Sequence, residues 1–375
     1  MHIIPIASGK GGVGKTLLAA NLALALGQAG RKVVLCDLDL GGSNLHLMLG
    51  IPPAPGGMGA FINRPDLRLS DILLQTDYPN LWFIPGDGEA PGAANITAHQ
   101  RQKIRRALNS LEADYLIIDL GAGTHTMVLD FFLLAGRGIV ITSPTPIATV
   151  NAYVFLKNTV FRILGQSMKK KSEAHQYLEN LRKEGTTLQS IYIPKLLEQI
   201  RARDPEAYES FQRNIQRFHP RLILNMVEDP RDAEKAHKLR RSCQQYLNID
   251  LEHLGIMYRD DLQDIALGSR LPILIYKPQS VLSTAIKRIA DKLIQAEGEE
   301  ESTITPVDES YQEATLEAEV DFEAKMDYLE ELLHTGALTT GDLIETVKMQ
   351  QIEISQLKKE NQFLKAKLLN LLKGT

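Results

Sequence analysis

Residues Gly9 to Thr16 read Gly-Lys-Gly-Gly-Val-Gly-Lys-Thr, a complete match to the phosphate-cradling pattern G-x-x-x-x-G-K-[ST]. Each residue type has a physical reason to be there. Gly11, Gly12 and Gly14 have no Cβ, so the chain around Val13 can adopt positive φ and turn successive backbone N–H groups onto phosphate oxygens. A helix opening near Lys15 adds the positive end of its dipole. Lys15 brings a point charge to the β- and γ-phosphates, and the Thr16 hydroxyl is a ligand for Mg²⁺. Three carboxylates, Asp37, Asp39 and Asp119, close apolar runs further along. Taken singly, each could serve as a helix cap or stand in a solvated turn.

The elements that must position these groups are legible as short apolar runs without polar alternation: Ile3–Ala7, 32–36, Leu81–Ile84, 115–118, 138–142, 222–224 and 254–257. Such runs, separated by helical patterns, suit strands buried on both faces. The expected fold is α/β, a mostly parallel sheet with helices on both faces and its ligand beyond the carboxyl ends of the strands. The glycine-rich loop follows the first run, Asp37 and Asp39 end the second, and Asp119 ends the fourth. The chemistry therefore converges on one edge of the sheet.

A chain of 375 residues can bury one full core with residues left over, so one large domain with extensions is expected. The net charge of −4 conceals an uneven spread, because residues 297–375 hold 7 Lys/Arg against 18 Asp/Glu. Cys36 and Cys243 match no metal or redox spacing and read as reduced thiols. Met1 is followed by no basic stretch with a cleavable apolar run, and no run of about 18 apolar residues occurs, so neither a leader nor a membrane span is expected. A cytoplasmic protein is expected, with the membrane surface or the nucleoid as candidate peripheral sites.

The organisation follows. Residues 1–296 form the phosphate-loop domain. Within it, about 80 residues separate the run ending at Thr142 from the one starting at Leu222, far more than a crossover needs. Residues 156–221 are therefore read as a helical insertion, basic with 13 Lys/Arg against 7 Asp/Glu, and either a solvated surface or a contact for DNA, acidic lipid or a partner. The acidic stretch 297–321 is read as a flexible linker. Residues 322–375 form a helical tail. Val347, Ile354, Asn361 and Leu368 at a positions, with Gln350, Leu357, Leu364 and Leu371 at d, describe a parallel two-stranded coiled coil over 347–372. A helix docked on its own domain, or lying on a membrane surface, remains an alternative.

Lys10 ahead of the glycines makes a deviant loop that resembles the MinD/ParA family of ATPases. Cys36 to Leu45 is similar to that family's switch I segment, and Ile117 to Gly123 to its Walker B and switch II segment. Ser143-Pro144-Thr145-Pro146, Ile223 to Val227 and Leu254-Gly255-Ile256 follow in the family's order. In texture the chain resembles the FlhG-like, flagellar-number-regulator branch, including Leu69 to Leu73 and Phe83 to Gly86. The resemblance implies roles residue by residue. Lys10 would reach the partner's phosphates across an ATP-bound dimer. Lys15 and Thr16 would hold phosphate and Mg²⁺, and Asp39 would position the attacking water. Asp37 and Asp119 would order the metal's water shell, and Asn225 would read adenine. No Asn-Lys-x-Asp guanine signature occurs, which favours ATP. The chain opens on its first strand, so it is expected to lack the branch's N-terminal extension.

These readings give a leading expectation, an ATP- and Mg²⁺-dependent switch that hydrolyses slowly, dimerises with ATP and positions or regulates a cellular assembly through an unidentified partner. Two alternatives stand beside it. One is a constitutive coiled-coil dimer acting as a scaffold with structural nucleotide. The other is a ParA-like ATPase binding DNA through 156–221, whose affinity would fall steeply with salt.

Overall fold

The computed structural model describes residues 1–54, 56–86, 96–183, 191–298 and 307–335, with Gly341, Ile344, Lys348, Gln351 and Ser355. The strands are β1 (His2–Ala7), β2 (Val33–Leu38), β3 (Leu74–Gln75), β4 (Leu81–Ile84), β5 (Tyr115–Leu120), β6 (Ile139–Thr142), β7 (Arg221–Val227) and β8 (Glu252–Tyr258). The helices are α1 (Lys15–Gln28), α2 (Leu45–Met48), α3 (Met58–Asn63), α4 (Ala98–Asn109), α5 (Thr126–Phe132), α6 (Pro146–Ser167) and α7 (Glu173–Lys183). They continue as α8 (Ile193–Arg203), α9 (Pro205–Ile215), α10 (Ala233–Leu247), α11 (Leu262–Gly268), α12 (Ile273–Tyr276), α13 (Val281–Gln295) and α14 (Val307–His334). Among the described residues no helix is long and apolar enough to cross a membrane.

The strands form one sheet in the order β3-β4-β2-β5-β1-β6-β7-β8, parallel except for β3. All seven apolar runs are strands, and β3, two residues long, is the strand that patterning missed because so short a segment carries no period. Pro5 lies inside β1, where a residue without an N–H is unusual. The ladder to β6 starts one residue later, at Ile6 opposite Ile139. Helix α1 is apolar on nearly every side and is buried with β1, β2 and α13 in one core. Its polar interior residue, Asn21, donates to the Leu17 carbonyl at 2.9 Å and accepts from the Leu274 N–H at 3.2 Å.

Helices α6 to α9 occupy the chain between β6 and β7. Ile193, Leu196, Leu197 and Ile200 make the buried face of α8, at helical spacing. In the basic stretch Lys169 is paired with Glu206, both exposed.

The flexible linker expected over 297–321 is corrected at both of its described ends. Glu297 is ion-paired with Arg31 and accepts from the Tyr115 hydroxyl. From Val307 the chain is helical, and Tyr311, Ala314, Ala318 and Asp321 of α14 are buried. The acidic composition that suggested disorder is answered by cations of the domain: Arg288 pairs with Glu317 and Asp321, Lys292 with Glu313 and Glu317, and Arg240 with Asp308. The part of the helix up to Asp321 lies along the outer edge of β8. The His253 N–H donates to Ser310 Oγ at 3.1 Å, and the Tyr258 hydroxyl donates to the Ala318 carbonyl at 2.8 Å. A strand edge that would otherwise present unpaired backbone is covered in this way. Met1–Asp321 accordingly form one compact unit, and Phe322–Thr375 a second. Apart from Lys348, Gln351 and Ser355, the expected coiled coil over 347–372 lies outside the described residues.

Candidate functional site

Register brings the candidate residues together. Asp37 on β2 lies opposite Asp119 on β5, and Asp119 lies opposite Ile6 on β1, one residue before that strand ends. The first strand therefore releases its loop at the level where its neighbours end in carboxylates.

The loop is held on three sides. Ser8 Oγ donates to the Lys10 carbonyl at 2.7 Å, and the Ser8 carbonyl accepts from the Gly123 N–H at 3.0 Å. Asn225 Nδ2, from the end of β7, donates to the Val13 carbonyl at 2.9 Å. A Cβ on Gly9 would lie 2.0 Å from the Asn151 carbonyl oxygen of α6. Gly12 and Gly14 have φ of +77° and +92°, the left-handed region that side chains avoid. By contrast, a Cβ on Gly11 or Gly12 would meet nothing within 4 Å. That bare backbone is a cradle a side chain would fill. No side chain caps the first turn of α1, leaving its N–H groups for an anion. Lys15 is buried, Thr16 half-buried and Lys10 exposed.

The carboxylates differ in their surroundings. Asp37 is fully buried and accepts from Ser43 Oγ at 2.6 Å, the Asp39 N–H at 3.0 Å and the Leu45 N–H at 3.4 Å. Burial still pushes its carboxyl up. Asp119 is pushed up to about 7, first by burial and then by Asp37 and Asp39, against the opposing pull of Lys15 and the Thr16 hydroxyl. Its Oδ1 is buried without a hydrogen-bond partner. Asp39 is half-buried, with Oδ1 3.1 Å from where a Cβ on Gly121 would lie.

These observations fit a hard cation. An orphaned carboxylate oxygen in a dry site costs free energy unless something satisfies it. Among the described residues no group of three or more His, Cys, Asp or Glu side chains is disposed to hold a metal alone. A divalent ion near Thr16, Asp37 and Asp119 would complete its shell with water and phosphate oxygens, as Mg²⁺ does.

Sequence reasoning missed Ser43, whose hydroxyl orients Asp37, and the packing of Gly9 against α6. The first lay inside the segment already singled out, six residues past the aspartate. The second had no local signal. Asn225, to which the resemblance gives the reading of adenine, has its amide nitrogen committed to the loop itself.

A parallel sheet, a glycine-rich loop feeding a helix, and carboxylates at the neighbouring strand ends define a nucleotide-binding protein of the P-loop class. Residues 4–350 match the CobQ/CobB/MinD/ParA nucleotide binding domain, and the chain belongs to that family. It is 27% identical over 296 residues to the antiactivator FleN of Pseudomonas aeruginosa, covering 78% of this chain and 86% of that protein. It is 34% identical over 160 residues to the flagellum site-determining protein YlxH of Helicobacter pylori, 41% of this chain and 52% of that one. The septum site-determining protein MinD of Synechocystis is 35% identical over 144 residues, 38% of this chain and 53% of that protein. The chain thus spans about half the length of these last two relatives. Its fold is like that of MinD from Pyrococcus horikoshii complexed with Mg-ADP, with a TM-score of 0.55 at 22% identity over 81% of this chain and 99% of the other.

Proposed function

We propose that the chain is an ATPase that uses nucleotide to switch between a free and a partner-engaged form, and so helps to position or count a cellular assembly. The family and the flagellar and septal relatives support a positioning role. The observation that carries the chemistry is the pairing of an open, left-handed glycine cradle with an unsatisfied buried oxygen on Asp119.

In this reading Lys15 and the N–H groups of residues 11–16 bind the β- and γ-phosphates, and Thr16, Asp37 and Asp119 are the residues that would hold Mg²⁺ and its water. The bound cation would neutralise charge developing between the transferred and leaving phosphoryl groups. Asp39 holds the attacking water in line by accepting a hydrogen bond from it. Lys10, exposed on the loop, is free to serve a second subunit's phosphates in a two-fold dimer. With Asn225 Nδ2 given to Val13, the side chain offers a base its carbonyl oxygen. That oxygen accepts from the 6-amino group of adenine and opposes the O6 of guanine.

The test is ATP turnover and mass in solution for the wild type, Lys10→Ala and Lys15→Ala. Both substitutions are expected to abolish turnover, with Lys15→Ala also losing nucleotide binding and Lys10→Ala retaining it as a monomer. Equal turnover in all three would end the proposal.

A further inference from the structure

A cavity of about 380 Å³ opens at the edge of the sheet opposite the phosphate loop, where β1, β5 and β7 begin and the chain enters β6. The length of β1, six residues at about 3.3 Å each, sets it roughly 17 Å from that loop. Arg217, His219 and Arg221 line one side, and Tyr115, Leu134 and Leu293 another. Among the described residues no carboxylate lines it.

The polar side is a fixed wall. The His219 N–H donates to the Gly136 carbonyl at 2.8 Å, and the Arg221 N–H to the Gly138 carbonyl at 2.9 Å. A Cβ on Gly136 would lie 2.1 Å from the Arg217 carbonyl oxygen, so the two chain segments touch with no room for a side chain between them.

Arg221 is the residue that calls for a ligand. Its side chain is 7% exposed, and Nε donates to Glu252 at 3.0 Å. That bond uses one of five guanidinium N–H donors. The two Nη nitrogens have no partner among the described residues, yet neither is sealed from solvent, so they open on the cavity that Arg221 lines. Donors held in so little water are costly without an acceptor. The carboxylates nearby are engaged elsewhere: Glu252 sits at Nε, and Glu297 takes Arg31 and the Tyr115 hydroxyl. Arg217 is exposed and its guanidinium has no ion pair among the described residues.

We propose that this cavity binds a terminal phosphoryl group, as inorganic phosphate or on a small phosphomonoester, with the Nη fork of Arg221 and the guanidinium of Arg217 on its oxygens and His219 as a third donor. Two forks and an imidazole offer more donors than the two oxygens of a carboxylate engage. A phosphoryl group brings three oxygens and up to twice the charge. The volume falls in the range of about 300–1,000 Å³ usual for small-molecule sites, and the side formed by Tyr115, Leu134 and Leu293 has the apolar character that an organic body needs. The site is separate from the phosphate loop and does not depend on the ATPase reading.

The test is isothermal titration of the full-length chain with inorganic phosphate and with glucose 6-phosphate at matched ionic strength. Arg217→Glu is expected to weaken binding tenfold or more without moving the melting temperature, since the residue is exposed. Arg221→Lys keeps a cation beside Glu252 but loses the fork, and should weaken binding to a similar degree. Arg213→Glu makes the same charge change on α9 outside the cavity, and should leave binding as it was. The phosphate loop is intact in every chain, so the heat that the Arg217 and Arg221 variants lose belongs to this site. Tighter binding of glucose 6-phosphate than of phosphate would assign a phosphomonoester, and equal binding would assign phosphate itself. Affinities that are the same in the wild type and Arg217→Glu would overturn the proposal. So would an equal loss in Arg213→Glu, or glucose binding as well as its phosphate.

Discussion

The side-chain amide of Asn225 and the carbonyl of Val13 are 2.9 Å apart across 212 residues of sequence, so the end of β7 holds the centre of the phosphate loop. Replacing Asn225 by Ala removes this tie and leaves the carbonyl short of a donor. Asn225→Asp sets a carboxylate against it. We expect turnover to fall in both, more in the second, with a weakened nucleotide affinity. Isothermal titration with an ATP analogue checks this, and unchanged affinity in Asn225→Asp would contradict it.

The glycines of the loop should separate by mechanism. Gly14→Ala puts a Cβ 2.2 Å from Asn225 Nδ2 at a φ of +92°, so it should cost roughly 1–3 kcal/mol of stability as well as binding. Gly11→Ala has space and no positive φ, so it should leave the melting temperature in place and weaken phosphate binding. Thermal unfolding beside nucleotide titration distinguishes the two. Equal melting losses would show that the cradle is not open.

Helix α14 should behave as part of the domain. Deleting residues 307–375 uncovers the β8 edge and removes Tyr311, whose burial alone is worth roughly 2 kcal/mol. We expect a lower melting temperature and aggregation. Deleting 336–375 should leave melting of the Met1–Asp321 unit unchanged. Identical thermograms for the two truncations would argue that α14 does not dock.

Beneath that helix His253 is buried, with both ring nitrogens unpartnered and its ring against Tyr311 at 4.9 Å. Burial, helped by Lys292 and His237, pushes its pKa down to about 3. An unfolded histidine titrates near 6.5. Between these values the unfolded chain takes up a proton that the folded one refuses, so this contribution to stability is full above about pH 6.5 and falls as the pH drops toward 3. His253→Phe should flatten that slope. A melting difference between variant and wild type that stays constant from pH 7 to pH 4 would refute the assignment.

The loop from Gly9 to Thr16, the seven main strands and the three strand-end aspartates were all readable in the sequence. They rest on local signals: missing Cβ atoms, apolar runs of strand length and turn residues at fixed offsets. The linker reading failed at 307–321 for a related reason. Its acidity matters only relative to Arg240, Arg288 and Lys292, and no window of sequence contains both sides of that pairing.

By itself, then, the sequence determined the phosphate chemistry and the sheet that presents it, because both depend on residues close together along the chain. The tertiary structure decided that Asn225 steadies Val13, that Gly9 leans on Asn151, that Asp119 keeps one oxygen unpaired, and that an acidic helix closes the edge of β8. Each of these depends on which distant groups meet and how much water is left between them, and only the packed fold sets that.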